Sequence, residues 1–460
     1  MNPLYNWLPL AGQNLACTWA GWRRHRTRFT PFFFETLHAW EQTVNGPLER
    51  LHELQRDRLR RLVTRARAQV PFYRELAPFS DLPAPEDAIR ETLAGIPPVD
   101  KATYRERNAD FLARDAAGAQ LIRVNTSGTT GSALPIWLTP ERIAEGYAAV
   151  WRQRRGFGVQ IEDPQMTFAG QMIVPLSQRR PPFWRQNWYG RQTLFSVYHM
   201  SPANLAAYVD AIHRTEARYV QGYPSALHLV GRALLDAGRP LPPGRISAVF
   251  TSSESLLAFQ REAIEKGFGA PARDHYAATE QVVSMTACAL NRLHVDMEFC
   301  LVEVEIEEES DEWVRGPLLV TGLGNDAAPL FRYRIGDVGT RSRTPCPCGR
   351  PGDNFLEIDG RIEDYVVTPD GRMVGRLDHV FKSQYDVAEA QIVQDTKEAI
   401  TVFVTPRASY SAASQKKLLS EIRARLGDDI RIDVRLTDAI PREPNGKFRA
   451  VKSRFGRTGP

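Results

Sequence analysis

No apolar run in this 460-residue chain approaches the roughly 18 residues that a membrane-spanning helix needs. Cysteine is scarce: five residues are too few for a disulfide scaffold. Neither sign of charge dominates. Fifty-nine Lys and Arg stand against 54 Asp and Glu, and the net charge of +5 is no nucleic-acid signature, though it suits a substrate that carries phosphates. Internal repeats, low-complexity tracts and the Walker A spacing are all missing. No basic start precedes an apolar stretch at the N-terminus, so the expected compartment is the cytoplasm. What is present is an ordinary globular composition, 43% hydrophobic and 25% charged, over a length that exceeds one core.

Residues 1–45 are rich in Trp and Phe and carry Arg23-Arg24-His25-Arg26. Over residues 50–70, Leu51, Leu54, Leu59, Leu62, Val63, Ala66 and Val70 recur near one face, which predicts an amphipathic helix halted by Pro71. The plain reading is a surface helix docked on a core. The alternative for this basic, aromatic N-terminal part is peripheral contact with a membrane surface or a nucleic acid. From about 120 to 360, strand-like runs (Ile246–Phe250, Leu318–Thr321) alternate with helical ones (Leu205–Ala217, Ser225–Ala237), predicting α/β layers. In the last hundred residues, strands at Ala399–Thr405 and Ile430–Leu436 flank a helix at Ala413–Leu426, a small α+β unit. The boundary falls near Gly360, giving domains 1–360 and 361–460.

Four stretches carry chemistry. Thr126-Ser127-Gly128-Thr129-Thr130-Gly131 offers backbone N–H groups and hydroxyls that suit phosphate oxygens, or it is a plain turn. His275-Tyr276-Ala277-Ala278-Thr279-Glu280 sets a hydroxyl beside a carboxylate, a pair suited to a phosphate oxygen and Mg2+ together, or it is a polar strand end. Arg332-Tyr333-Arg334-Ile335-Gly336-Asp337 follows a strand and presents a carboxylate that can take both hydroxyls of a ribose, or a turn aspartate. Pro441-Arg442-Glu443-Pro444-Asn445-Gly446-Lys447 is a tight loop presenting Lys447, which is otherwise a solvated lysine.

Three of the cysteines pair with a histidine. Cys346 and Cys348 form a C-x-C knuckle, and Cys288 and His294 form C-x5-H just after the Glu280 stretch. Three thiolates and one imidazole make a structural zinc set, against the reading of four unrelated residues. Cys17 and Cys300 are left over and read as ordinary buried thiols.

Taken in order, the Ser/Thr/Gly loop, Y-x-x-T-E, Y-R-x-G-D, G-R-x-x-D (Gly360 to Asp364) and P-x-G-K resemble the superfamily of acyl-CoA synthetases, adenylation domains and luciferases. Val70-Pro71-Phe72-Tyr73, Gly222-Tyr223-Pro224-Ser225 and Gly360-Arg361-Ile362-Glu363-Asp364-Tyr365 are similar to the phenylacetate–coenzyme A ligase family. Within it they fit the subgroup associated with capsular polysaccharide synthesis. The likeness runs from about residue 50 to 455.

The resemblance implies an α/β protein, with a large multi-sheet N-terminal adenylation domain and a small mobile α+β C-terminal domain. It implies ATP and Mg2+, activation of a small carboxylic acid as acyl-AMP with loss of pyrophosphate, and acyl transfer to coenzyme A. Thr126, Ser127, Gly128, Thr129, Thr130 and Gly131 would hold the β- and γ-phosphates. Ser252, Ser253 and Glu254 would line the adenine pocket, with Tyr276 also binding the nucleotide. Thr279 would contact the α-phosphate, Glu280 the Mg2+, and Asp337 the ribose with Arg361 beside it. Lys447 would reach the carboxylate and the α-phosphate. Glu363 stands at the hinge position, where the family more often has Asp. Members also resemble this chain in binding zinc through Cys and His from the same two regions. Ser132, Ala277 and Ile335 depart from the family's usual Lys, Gly and Thr. The acid would sit near Tyr198, His199, Tyr223 and Ser252. Two other readings stay open: transfer to an amine, a hydroxyl or a carrier protein, and a nucleotide-binding protein without turnover. The intact Glu280, Asp337 and Lys447 speak against the second.

Overall fold

Runs of β-branched and aromatic residues form one long mixed sheet, as their fit to a pleated surface requires. The computed structural model describes residues 3–76, 93–116, 120–125, 134–201, 203–359, 366–374, 377, 380, 386–438, 440–441 and 451–455. The first half of the sheet comprises β1 (Gln165–Ala169), β2 (Trp184–Asn187), β3 (Gln192–Ser196), β4 (Tyr219–Gly222), β5 (Val249–Ser252) and β6 (Ala272–Ala277). The second half comprises β7 (Ser284–Ala287), β8 (Leu293–Val295), β9 (Cys300–Val304), β10 (Trp313–Gly322), β11 (Tyr333–Ser342) and β12 (Asn354–Asp359). The order across it is β9-β10-β11-β12-β8-β7-β6-β5-β4-β1-β3-β2. Strands β3, β1, β4, β5 and β6 run parallel, and the pairs outside them are antiparallel.

Helices cover the sheet: α1 (Leu10–Arg28), α2 (Pro31–Thr43), α3 (Leu48–Gln69), α4 (Pro140–Gly156), α5 (Leu205–Arg214), α6 (Pro224–Asp236) and α7 (Ala258–Phe268). One core, including Phe168, Val220, Leu227, Ile264 and Phe268, lies between the parallel strands and α5 to α7. Helices α6 and α7 touch there. A Cβ on Gly267 would sit 2.6 Å from the Gly231 Cα, so neither position accepts a side chain. A second core, including Leu62, Ala148, Trp151, Met285 and Tyr333, fills the space under α3 and α4.

Helix α3 is the helix expected over residues 50–70, and Pro71 follows it. Leu54 is half-buried, whereas Gln55 is buried and donates to the Cys300 carbonyl at 3.1 Å. A long amide with a backbone partner displaces the leucine from the inner face. Among the described residues no helix is long and apolar enough to cross a membrane.

The C-terminal strands β13 (Val387–Thr396), β14 (Ala399–Pro406), β15 (Arg431–Leu436) and β16 (Val451–Ser453) pair in the order β15-β14-β13-β16. Helix α8 (Ala412–Leu426) packs on them, and the core there includes Ile392, Val402, Leu418 and Ile422. Each such side chain contributes about 1.5–3 kcal/mol on burial. Arg372 donates to the carbonyls of Leu426 at 2.6 Å and Tyr198 at 2.9 Å, joining this unit to the larger body.

Candidate active site

Strand β6 ends at Ala277, and the chain turns over Ala278 to Gln281. The Gln281 N–H donates to the Ala278 carbonyl at 3.0 Å, and Gln281 itself has φ 54°. The buried Arg142 of α4 holds this turn, donating to the Gln281 carbonyl from Nε at 2.9 Å and from Nη2 at 2.6 Å. Arg142 pairs with Glu145 at 2.7 Å, which takes Arg58 at 2.8 Å, so the buried charges are matched. The turn leaves Thr279 exposed and Glu280 buried. The Glu280 carboxylate accepts from the Tyr333 hydroxyl at 3.2 Å and lies 3.9 Å from Lys101 Nζ.

Asp337 owes its position to a bulge. Leu319 pairs with Arg334 and Pro317 with Val338, so Ile335, Gly336 and Asp337 stand opposite Leu318 alone. Gly336 supplies the φ of 89° this needs. The bulge frees Asp337 from the ladder, and its carboxylate accepts from the Tyr276 hydroxyl at 2.7 Å. The two expected carboxylates are thus each tied by a tyrosine: Asp337 to the strand before the Thr279 turn, and Glu280 to the strand that bears Asp337.

An antiparallel pair, Ile122–Asn125 with Pro135–Leu138, brackets the expected phosphate loop. Thr126, Ser127, Gly128, Thr129, Thr130 and Gly131 lie outside the described residues, as do Arg361, Glu363 and Lys447. Ile122, Val124 and Leu138 of the bracketing strands line a cavity of about 560 Å3 with Thr279, Ala277 and Tyr147. A neighbouring chamber of about 340 Å3 includes Ser252, Tyr223 and Gly222. His275 borders both, and burial pulls its pKa down to about 4, so it adds no charge at neutral pH.

Of the remaining expected residues, Ser253 takes φ 72° beyond the end of β5. Glu254 accepts from the Ser225 N–H at 3.0 Å and the Ser225 hydroxyl at 3.1 Å at the start of α6. His199 lines neither chamber. It is buried, in contact with Ser196 Oγ at 2.8 Å and stacked on Phe183. Tyr198 donates to the Gly170 carbonyl at 2.9 Å.

Cys288, His294, Cys346 and Cys348 converge, their ligand atoms all within 4.8 Å of one another. The Cys288 and Cys346 sulfurs are 3.9 Å apart, and Cys348 Sγ is 3.3 Å from His294 Nε2. A tetrahedral ion with metal–sulfur bonds near 2.3 Å needs edges of about 3.8 Å, so the set fits one. Burial, helped by the nearby Arg350 guanidinium, lowers the His294 pKa to about 4, leaving the neutral imidazole that ligates metals. The knuckle also delivers Arg350, which bonds Asp296 at 2.8 Å, and Asp296 accepts from Ser284 beside His275. Cys17 and Cys300 lie apart from this group as buried free thiols, and burial pushes Cys300 up to about 12.

The motifs contain none of the arginines that line the two chambers, and Arg24 stood out only within the basic N-terminal cluster. Arg24 and Arg28 of α1 border both chambers and Arg154 of α4 borders the second. A usable signal existed in α4, where Tyr147, Trp151 and Arg154 fall at helical spacing on one face.

The chain has the fold of the adenylate-forming ligases. It is similar to 2-hydroxyisobutyryl-CoA ligase in complex with 2-HIB-AMP and CoA, with a TM-score of 0.58, 18% identity and cover of 90% of this chain and 92% of that one. An open conformation of the same ligase gives a TM-score of 0.51 at 18% identity, covering 86% and 90%. In sequence, the chain is similar to the protein CapK of Staphylococcus aureus, 26% identical over 98% of each. It is also similar to the phenylacetate-coenzyme A ligase of Thermus thermophilus, 22% identical over 88% of this chain and 97% of that one. Residues 366–454 match the CapK C-terminal domain. The family resemblance carried by the ordered motifs is borne out along nearly the whole chain.

Proposed function

We propose that this protein uses ATP and Mg2+ to turn a small carboxylic acid into its acyl-AMP, then passes the acyl group to coenzyme A. One observation carries the reading: Thr279 and the strands flanking the 126–131 loop face a single cavity, while Glu280 and Asp337 are cross-tied beside them. In this reading Thr279 and the loop hold phosphate oxygens, and Asp337, with Arg361 beside it, fixes the ribose. Ser252, Ser253, Glu254 and Tyr276 border the base. Glu280 holds the Mg2+, whose charge, with that of Lys447, offsets the negative charge that builds on the α-phosphoryl oxygens. The likeness to two acid–CoA ligases supports the thiol as acceptor. The test is pyrophosphate release from a panel of acids, with and without coenzyme A. Release with every acid absent, or with none at all, sinks the reading. Acyl transfer to an amine, hydroxyl or carrier protein instead of the thiol would select the second reading.

We propose further that residues 1–360 and 361–460 are separate domains hinged at Glu363, so that Lys447 can withdraw after the first step. The four Cys and His ligands hold one structural zinc, which ties the hairpin following Glu280 to the loop following β11. The working compartment is the cytoplasm.

A further inference from the structure

Resting on the adenylation reading, we infer that the acid carries a second anionic group at its far end and hydrogen-bonding groups along its length. The Thr279 cavity and the smaller chamber share Arg24, Arg28 and Tyr147, so they form one cleft. No Asp or Glu is among the described residues lining either part. Arg154 lies in the smaller chamber. Its guanidinium is 4.8, 5.4 and 5.6 Å from the rings of Trp151, Tyr219 and Phe250. Among the described residues it donates once, to Gln221 Oε1, and its buried Nε has no partner. Arg28 sits 4.4 Å over the Tyr147 ring. Neither arginine has a carboxylate partner among the described residues, although burial lowers the pKa of both. A desolvated guanidinium without a counterion is costly, and an incoming anion removes that cost.

The wall beside Arg154 is a lattice of amides. Gln221 Nε2 donates to Gln165 Oε1 at 2.7 Å and to Thr167 Oγ1 at 3.0 Å, and Gln192 Nε2 donates to Thr167 at 2.8 Å. An alkyl or aryl tail would strip water from these groups and return nothing. A site built to hydrogen-bond discriminates strongly against analogues that lack the partner.

The experiment compares acids matched in length: succinate and glutarate against butanoate and pentanoate, with phenylacetate as the aromatic arm. Pyrophosphate release and binding by calorimetry are both read. The expected result is at least about a tenfold higher kcat/KM for the dianions. Arg28→Ala and Arg154→Gln should each erase that preference through KM, with kcat changed little. Preference for butanoate, pentanoate or phenylacetate overturns the proposal and leaves adenylation standing. Arginine-dependent binding of dianions without pyrophosphate release sinks the adenylation reading and leaves the pocket assignment. Binding of no dianion overturns the proposal outright.

The inner face of helix α1 is largely polar. It holds Gln13, Asn14, Thr18, Arg24 and Arg28 around the buried Cys17. Asn14 and Thr18 accept from the backbone of Gln186 and Trp188, at and just past the edge strand β2. Its outer face presents Leu15 and Trp19 at 60% and 59% exposure, with Trp22 beyond and Trp7 at 87% just ahead of the helix. Residues 1–34 contain four arginines and no acidic residue, and Arg23 and Arg26 cover the rings of Trp19 and Trp22. We propose that this face docks on an anionic lipid surface, indoles at headgroup depth and arginines on the phosphates. The same charge repels a second copy of itself. Sedimentation with vesicles of phosphatidylcholine, alone or mixed with phosphatidylglycerol, tests it. Binding should require the anionic lipid, weaken with salt, and vanish in Trp7→Ala/Trp19→Ala while pyrophosphate release is unchanged. No binding to either vesicle, or a dimer that hides the two tryptophans, overturns it.

Discussion

At the Thr279 end of the cleft, the candidate nucleotide ligands come from short contiguous stretches: Tyr276 to Glu280 on one turn, and Tyr333 to Asp337 on one bulged strand. At the Arg154 end, the lining arrives singly, Arg28 from α1, Arg154 from α4, Gln165 from β1, Gln192 from β3 and Gln221 from β4. Under the proposed function, the difference follows from what each end would grip. Phosphates, a metal ion and a ribose diol lie within a few ångströms of one another, so neighbours in sequence can reach them together. The variable end of an acid has no fixed shape, and a wall assembled from five elements can be altered at one position without disturbing the rest.

The largest expected effect lies at the nucleotide end. Lys447→Ala should slow acyl-AMP formation by roughly 100- to 1000-fold, the cost of losing one charge-stabilising donor. The same variant, given pre-formed acyl-adenylate and coenzyme A, should transfer the acyl group at a near-normal rate. Equal loss in both half-reactions would assign the loop a structural role. Asp337→Ala should raise the KM for ATP by roughly 10- to 150-fold, the range for hydrogen bonds to a charged group, and by the same factor with every acid. If the factor varied with the acid, the two ends would not be separable and the comparison would fail.

Cys348→Ser tests the brace between the two motif-bearing segments. Elemental analysis of the parent protein should give about one zinc per chain, since a closed four-ligand site takes one ion. The variant should lose metal and thermal stability together. A metal-free protein with unchanged melting temperature and activity would refute the assignment. The smallest expected effect is that of Tyr276→Phe. It deletes only the hydroxyl that Asp337 accepts from, so ATP affinity should fall about fivefold, equivalent to about 1 kcal/mol.

The layers of the fold could be read from periodicity, because strands and helices such as Ala399–Pro406 and Ala412–Leu426 bury one face in a simple repeat. The convergence of Cys288, His294, Cys346 and Cys348 was legible too, since thiolates paired at short spacing have few other uses. Gln55 was not, because its partner is a carbonyl 245 residues away. The same holds for Arg142, which fixes the Thr279 turn through the Gln281 carbonyl, 139 residues distant. A guanidinium on a helix reads as solvated until the surface facing it is known. The outward tryptophans of α1 were visible as composition, but only the packing of the opposite face on β2 reveals which way they point.

The bulge that sets Asp337 apart from its ladder has an evolutionary consequence. Ile335, Gly336 and Asp337 do the pairing work of one residue, leaving two in excess. A deletion of two residues here would let β10 and β11 zip without interruption, so selection for heat tolerance alone would favour it. The same deletion withdraws the carboxylate assigned to the ribose. With the proposed ribose role for Asp337, thermal hardening and nucleotide affinity pull in opposite directions at this turn of chain, and a library screened only for survival on heating should accumulate folded, inactive proteins whose lesions fall between Arg334 and Val338.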